Sequence, residues 1–254
     1  MKKNSHPFRK KWGQNFLTDS NLLDRIVRTV EPQDNDNFLE IGPGDGSLTE
    51  LIFPKVKKMV VVEIDPLLIK HLSIRSDLDG LHIIHGDILL QDIEDLPIEE
   101  PVRIVGNIPY NITSSIIFWL IEQLDFWDDA FIMMQKEVAQ RLTANIGTKE
   151  YSRISVVVGA YLDMEMCFKI PPDVFIPKPK VESAIIRFTK KSSPIVADNQ
   201  YVKFNKIVKM AFSKRRKMLR NSLNDFDIPV SIQEEIDFTR RPETLSIEEF
   251  AKLL

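Results

Sequence analysis

Five short, almost unbroken apolar runs constrain this chain more than any other feature: FLEI (38–41), MVVVEI (59–64), LHIIH (81–85), VRIVGN (102–107) and AFIMMQ (130–135). Their β-branched character and lack of alternation suit strands covered on both faces. The amphipathic stretches between and after them (47–53, 66–74, 113–124 and 136–144) carry the helical period. Repeated strand–helix units predict an α/β fold with a parallel sheet. Two more strands, near 164–170 and 181–189, follow a helix near 152–161 and, set antiparallel at the sheet's end, make it mixed. After SSPIVADNQ (192–200) the pattern turns purely helical, in YVKFNKIVKMAF, RRKMLRNSL, VSIQEEI and LSIEEFAKLL, with Pro229 and Pro242 as breaks. The expected organisation is a large α/β domain over 1–192 and a small all-α domain over 193–254.

Charge adds a second constraint. The net charge is only -3, yet residues 1–18 carry +5 and residues 203–220 carry +8 without one acid, so the rest of the chain carries -16. Such polarity suits a protein that meets a polyanion on one face and stays soluble on the others. Lys10, Lys11, Lys214, Arg215, Arg216, Lys217 and Arg220 are the expected nucleic-acid contacts. No stretch approaches the length needed to cross a bilayer, and the basic N-terminus has no apolar signal-peptide core behind it, so a cytoplasmic protein is expected. Cys167 is alone, and His6, His71, His82 and His85 fit no ligand spacing; no metal is expected.

The chemistry concentrates at strand ends. In LEIGPGDGSLTE, Gly42, Gly44 and Gly46 follow a strand and let the backbone turn tightly and a ligand approach it, with a helix N-terminus beyond. Ser47 stands where a dinucleotide fingerprint asks for a third glycine, and the G-x-G-x-G spacing after Glu40 resembles the first motif of class I S-adenosylmethionine-dependent methyltransferases. Glu63, at the end of the second strand, suits a ribose diol, and Asp87, at the end of the third, suits an adenine amino group. GNIPYN (106–111) follows the fourth strand. Methylating an exocyclic adenine amine requires acceptors for both N–H groups, because the nitrogen lone pair is delocalised into the ring. The Asn107 side-chain oxygen and the Ile108 carbonyl supply two, Pro109 stiffens the turn, and Tyr110 offers a stacking face. Phe175, framed by prolines in PPDVFIPKPK, offers a second face. Each feature also has an ordinary structural reading: a tight turn, a solvated acid, an Asn/Pro turn, a hydrophobe capping the core.

Together these segments resemble the small-subunit ribosomal RNA adenine N6,N6-dimethyltransferases, the kasugamycin-sensitivity enzymes. The likeness runs through KKWGQNFL, LEIGPGDGSLT, VVEIDP, HGDIL, GNIPYNITS, MMQKEVAQRL, IPPDVFIPKPKVESAIIRF, AFSKRRKMLRNSL and RRPETLSIEEF, nearly the whole chain. It implies a Rossmann-like methyltransferase domain with a helical C-terminal domain. Asn15, Leu17, Gly42, Gly44, Glu63, Asp87 and Asn107 would hold S-adenosylmethionine; Asn107, Tyr110 and Phe175 would form the target-base site. The implied reaction is dimethylation of two adjacent adenosines in the 3'-terminal hairpin of 16S rRNA, on the 30S subunit or its precursor, by a monomer. Transfer is expected in line, without metal or covalent enzyme intermediate. Ile108 stands where the family more often has Leu, a variation shared with the related 23S rRNA enzymes. The alternatives are a non-catalytic assembly factor on the same fold, a 23S rRNA enzyme and, with least support, a DNA adenine methyltransferase.

Overall fold

The structure is a computed structural model, and it describes residues 15–224, 226 and 228–254. Contacts divide the chain into two compact units, one of residues up to Lys136 with Met166–Phe188, the other of Glu137–Glu165 with Thr189–Leu254.

The apolar runs form β2 (Asn37–Ile41), β3 (Lys58–Glu63), β4 (His82–His85), β5 (Val102–Asn107) and β6 (Trp127–Gln135). Two more strands, β7 (Leu162–Ile170) and β9 (Ser183–Lys190), complete a seven-stranded sheet in the order β4-β3-β2-β5-β6-β9-β7. The pairs β3–β4, β2–β3, β2–β5 and β5–β6 are all parallel. The fold is the Rossmann-like, mixed and mostly parallel one expected. Burial explains the runs: Leu39, Val60, Val61 and Ile104 have no exposed surface, so alternation would put polar groups into the core. The chain leaves β2 toward β3 on one side and returns to β5 on the other. Strand order therefore reverses beside β2, and a crevice opens at the carboxyl ends of β2 and β5.

One helix was not among the expected elements. α1 (Ser20–Val30) buries Leu23, Ile26, Val27 and Val30, the spacing of a single helical face, and Asp19 caps it by accepting from the Leu22 N–H at 2.9 Å. It packs in one core cluster with Phe38, Met59, Val61 and Phe131. Arg103 on β5 ties this layer down. Its guanidinium donates to both oxygens of Asp129 on β6 (2.8 and 3.0 Å), to Asp36 (2.8 Å) and to the Val30 carbonyl at the end of α1 (2.7 Å). A cation there suits the negative end of the helix.

The second unit does not begin at a single cut near residue 192. α6 (Arg153–Gly159) packs against α7 (Tyr201–Ser213) and α10 (Ile247–Ala251), so residues 137–165 join the C-terminal helices. The reason is close approach: a Cβ on Gly159 would stand 2.7 Å from Ile247 Cδ1. RRKMLRNSL, expected as a helix, supplies only α8 (Leu219–Ser222), preceded by a turn in which the Lys217 N–H donates to the Lys214 carbonyl at 2.7 Å. Four consecutive cations with no acid three or four residues away on either side disfavour a continuous helix. Among the described residues no helix is long and apolar enough to cross a membrane.

Arg103→Met should cost about 3 kcal/mol, because Asp129 is 5% exposed and is left with Arg187 alone, at 3.2 Å, once its bidentate partner is gone. A shift in urea midpoint at unchanged m-value measures it; a loss below about 1 kcal/mol would mean that Arg103 behaves as a surface charge.

Candidate active site

The crevice beside β2 holds a cleft of about 300 Å³, lined by all seven residues expected to hold the cofactor and by Ile108 and Pro109 of the NIPY stretch. Its floor is the glycine turn. Gly42, Gly44 and Gly46 have φ values of +68, +62 and +84°, which side-chain-bearing residues rarely adopt. A Cβ on Gly42 would meet nothing within 4 Å, so that position keeps backbone open to a ligand. One on Gly46 would strike Leu72 Cδ2 at 2.7 Å. The helix expected beyond the turn begins at Thr49, but α2 (Thr49–Ile52) is one α-turn running into a 3-10 turn, too short for a useful axial dipole.

Glu63 is not a solvated acid. It is 4% exposed and accepts from the Ile64 and Asp65 N–H groups, each at 2.9 Å, and from the Gly44 N–H at 3.3 Å. Burial raises its pKa against the lowering effect of those bonds. Asp87 lines the cleft, is half-buried and accepts from the Leu89 N–H at 3.0 Å. Glu40 belongs beside them, though the sequence marked it only as the acid before the turn. It is 2% exposed, accepts from the Thr49 hydroxyl at 2.6 Å, and has its carboxyl pushed up to about 8 by burial, with Glu63 adding to the rise. Burial thus favours the protonated form of Glu40, while the N–H groups around Glu63 partly compensate its charge.

Residues 15–17 wall one side of the cleft and are held from behind by a second segment. β1 (Phe16–Leu17) pairs antiparallel with β8 (Phe175–Ile176), Leu17 opposite Phe175, and the Thr18 N–H donates to the Val174 carbonyl at 3.1 Å. The Asn15 carbonyl accepts from Asn107 Nδ2 at 3.0 Å. Phe16 was missed as a site residue: it lines the cleft, and its ring lies 3.2 Å from where a Gly44 Cβ would stand. Its only sequence signal is its place between Asn15 and Leu17.

Ile108 lines the cleft but is only 2% exposed, and its Cγ2 packs 3.2 Å from where a Gly106 Cβ would stand. Pro109, at φ -58° and ψ 136°, leads into the 3-10 turn Tyr110–Ile112. Tyr110 is half-buried and fixed by a 2.7 Å hydrogen bond between its hydroxyl and Ser183 Oγ; burial raises its pKa. Phe175 departs from the expected exposed ring: at 2% exposure it sits in the core cluster with Leu17 and Phe168, because its strand pairs with β1. Neither Tyr110 nor Phe175 lines the cleft. Lys10 and Lys11 lie outside the described residues. In the second unit Lys214, Arg216, Lys217 and Arg220 are exposed, while Arg215 donates to the Thr148 carbonyl at 3.2 Å and lies 4.0 Å from Glu243.

Glu40 generates a pH prediction. Its folded-state pKa exceeds the unfolded value, so the folded protein binds the extra proton and stability falls as pH rises from about 4.5 toward 8. Glu40→Gln should flatten that decline, leaving the smaller part due to Glu63. Urea midpoints of both proteins at pH 5.5 and 7.5 test this; parallel declines would show that Glu40 is ionised in the fold.

Residues 5–253 match the family described as Ribosomal RNA adenine dimethylase. The small subunit methyltransferase A of Saccharophagus degradans is 42% identical over 98% of this chain and 94% of its own length, and that of Enterococcus faecalis 38% over 100% and 91%. Among solved structures, a dimethyladenosine transferase from Plasmodium falciparum superposes with a TM-score of 0.81 at 27% identity, over 94% of this chain and 96% of that one. The 23S rRNA methyltransferase ErmE superposes with a TM-score of 0.70 at 28% identity, over 94% and 97%. The open backbone at Gly42 and the three strand-end acids fit an adenosyl cofactor. This chain belongs to the ribosomal RNA adenine dimethylase family of S-adenosylmethionine-dependent methyltransferases.

Proposed function

We propose that this protein dimethylates N6 of two adjacent adenosines in the 3'-terminal hairpin of 16S rRNA, acting in the cytoplasm, as a monomer, on the 30S subunit or its precursor. The relatives named as small subunit enzymes, matched over nearly their whole length, support the small-subunit target, as do AFSKRRKMLRNSL (211–223) and RRPETLS (240–246).

The Asn15–Asn107 hydrogen bond carries the catalytic reading. With Nδ2 spent on the Asn15 carbonyl, Asn107 Oδ1 is the free end of the amide. Oδ1 and the Ile108 carbonyl then accept the two N6–H groups, draw the nitrogen out of conjugation with the ring and aim its lone pair. S-adenosylmethionine, when bound, supplies a methyl group activated by its sulfonium. Glu63 and Asp87 hold the adenosyl part, and Gly42 and Gly44 let it lie against the backbone. Positioning and electrostatics at those two acceptors carry most of the rate enhancement. Tyr110 and Phe175 sandwich the base, and the buried Phe175 ring reaches it only through a shift of the β1–β8 pair. Lys10, Lys11, Lys214, Arg216, Lys217 and Arg220 track phosphates, with Arg215 divided between RNA and the 148 loop.

Asn107→Ala should abolish transfer while only partly weakening cofactor binding, and Asn107→Asp should lose roughly 100-fold or more, since a carboxylate cannot donate to the Asn15 carbonyl. Single-turnover methylation beside cofactor calorimetry separates the two effects; near-normal turnover in either variant removes Asn107 from the mechanism. Tyr110→Ala and Phe175→Leu should each lose about 1–3 kcal/mol in kcat/KM. Phe175→Ala is a poor probe, because truncating this buried ring alone costs about 3–5 kcal/mol of stability.

The substrate itself is tested by labelled methyl transfer to unmethylated 30S and, in parallel, 50S subunits. Dimethyladenosine at two adjacent 16S positions is expected, with affinity falling steeply as salt rises. Label confined to large-subunit RNA would reassign the target, and binding without label would favour the non-catalytic assembly factor.

A further inference from the structure

A second hollow, of about 520 Å³, lies wholly within the second unit, and the methyl-transfer chemistry leaves it without a role. Its wall combines apolar side chains, among them Leu142, Leu162 and Met164, with Tyr151, Asn145 and Glu248. Tyr151 is 2% exposed, yet its hydroxyl, shielded from solvent, has no hydrogen-bond partner. A buried hydroxyl left unpaired destabilises the fold, and phenylalanine would pack as well without that cost. Its ring already packs edge-on to Phe212 at 6.3 Å, so the hydroxyl is the group left unexplained. Burial, with Glu248 and Glu249 nearby, raises its pKa and keeps it a neutral donor.

The chemistry of this wall narrows the ligand. Apolar faces suit a flat, weakly polar body, while a hydroxyl, an amide and an exposed carboxylate suit an edge of mixed donors and acceptors. Lys191 donates to Asp163, so those two charges largely offset each other. Glu248 is left as an acceptor for N–H groups. The position of the basic run supplies the second observation. Asn145 and Ile146 belong to the loop held by the Gly147 N–H donating to the Glu243 carbonyl at 2.8 Å and by Arg215 donating to the Thr148 carbonyl at 3.2 Å. Lys149, Lys214 and Arg216, exposed neighbours of those contacts, place cations beside the loop that walls the hollow. A phosphodiester strand tracked by them would present its bases there.

We propose that this hollow receives an extruded nucleobase of ribosomal RNA, distinct from the adenosines that are methylated, with Glu248 reading its polar edge and the Tyr151 hydroxyl pairing with it once the wall yields to admit the base. A base presenting adjacent N–H donors, guanine above all, matches the Glu248 carboxylate. The proposal rests on the family's RNA substrate and not on the small-subunit assignment.

The test uses the full chain and its Tyr151→Phe and Ile146→Ala variants, titrated with unmethylated 30S subunits and with deproteinised total ribosomal RNA. Tyr151→Phe should bind RNA roughly three- to tenfold more weakly. Its Tm should be equal or higher and its cofactor affinity unchanged. Ile146, 49% exposed, can be shortened without unfolding the protein and should weaken RNA binding in the same direction. A benzophenone side chain at position 146 should crosslink to one nucleotide. Parent-like affinity in both variants, scattered crosslinks, or a lowered Tm in Tyr151→Phe would each overturn the proposal. Methylation by the unmodified protein is read in parallel: label on the large subunit alone would end the 16S reading, and the total-RNA titration would still decide the hollow.

Discussion

The Glu63 carboxylate is the fixed point of the cleft. It gathers N–H groups from Gly44, Ile64 and Asp65, so one side chain holds the glycine turn after β2 to the end of β3. Parallel strands end with backbone groups that the sheet can no longer pair, and a buried acid among them meets that need while keeping the cleft mouth open. The cost is desolvation of a charge, visible in the raised pKa of Glu63 and, more strongly, of Glu40. Bringing two acids this close would be unstable if both were ionised and empty-handed. Protonation of Glu40 relieves the repulsion, and a cationic cofactor would relieve it further.

A second constraint runs through the segment 15–17 on the cleft wall. The β1–β8 pair joins the segment bearing Asn15 and Phe16 to the segment bearing Phe175, and Asn15 in turn orients Asn107. The residues proposed to hold the cofactor and those proposed to hold the base are therefore mechanically joined by two short strands and one side-chain hydrogen bond. Such a small pairing is weakly held by itself. Its burial against α1 and Phe168 keeps it in place, and Arg25 sits over the Phe168 ring at 4.0 Å.

The second unit shows how a charged run and a packed core share one segment. α7 buries Phe204, Ile207, Val208 and Ala211, one helical face, and leaves its lysines outward; the cations that follow occupy a turn instead. Phe212 stacks on Phe250 at 5.8 Å, which anchors the C-terminal helix to the same core. The positive run is thus displayed from a rigid base, a requirement for tracking a polyanion without first ordering a flexible tail.

Much of this was legible from the chain alone. The five runs named their strands to within a few residues, because a strand buried on both faces must be apolar throughout. The glycines, Glu63 and Asp87 announced the cleft, because backbone turns and strand-end acids follow local rules. α1 was legible too in its 23, 26, 27, 30 spacing but was overlooked beside the GQNFL motif that precedes it. Tertiary structure alone decided the rest. Phe175 became a core residue because a distant strand pairs with it. Glu40 holds its proton more tightly because burial, which no motif records, raises its proton affinity. The orientation of Asn107 depends on a carbonyl 92 residues away, and the second unit takes in α6, which precedes β7 and β9 in the chain. Residue type and period fix what a segment can do; which partners it meets, and so which of its atoms remain free for chemistry, is fixed only when the chain closes on itself.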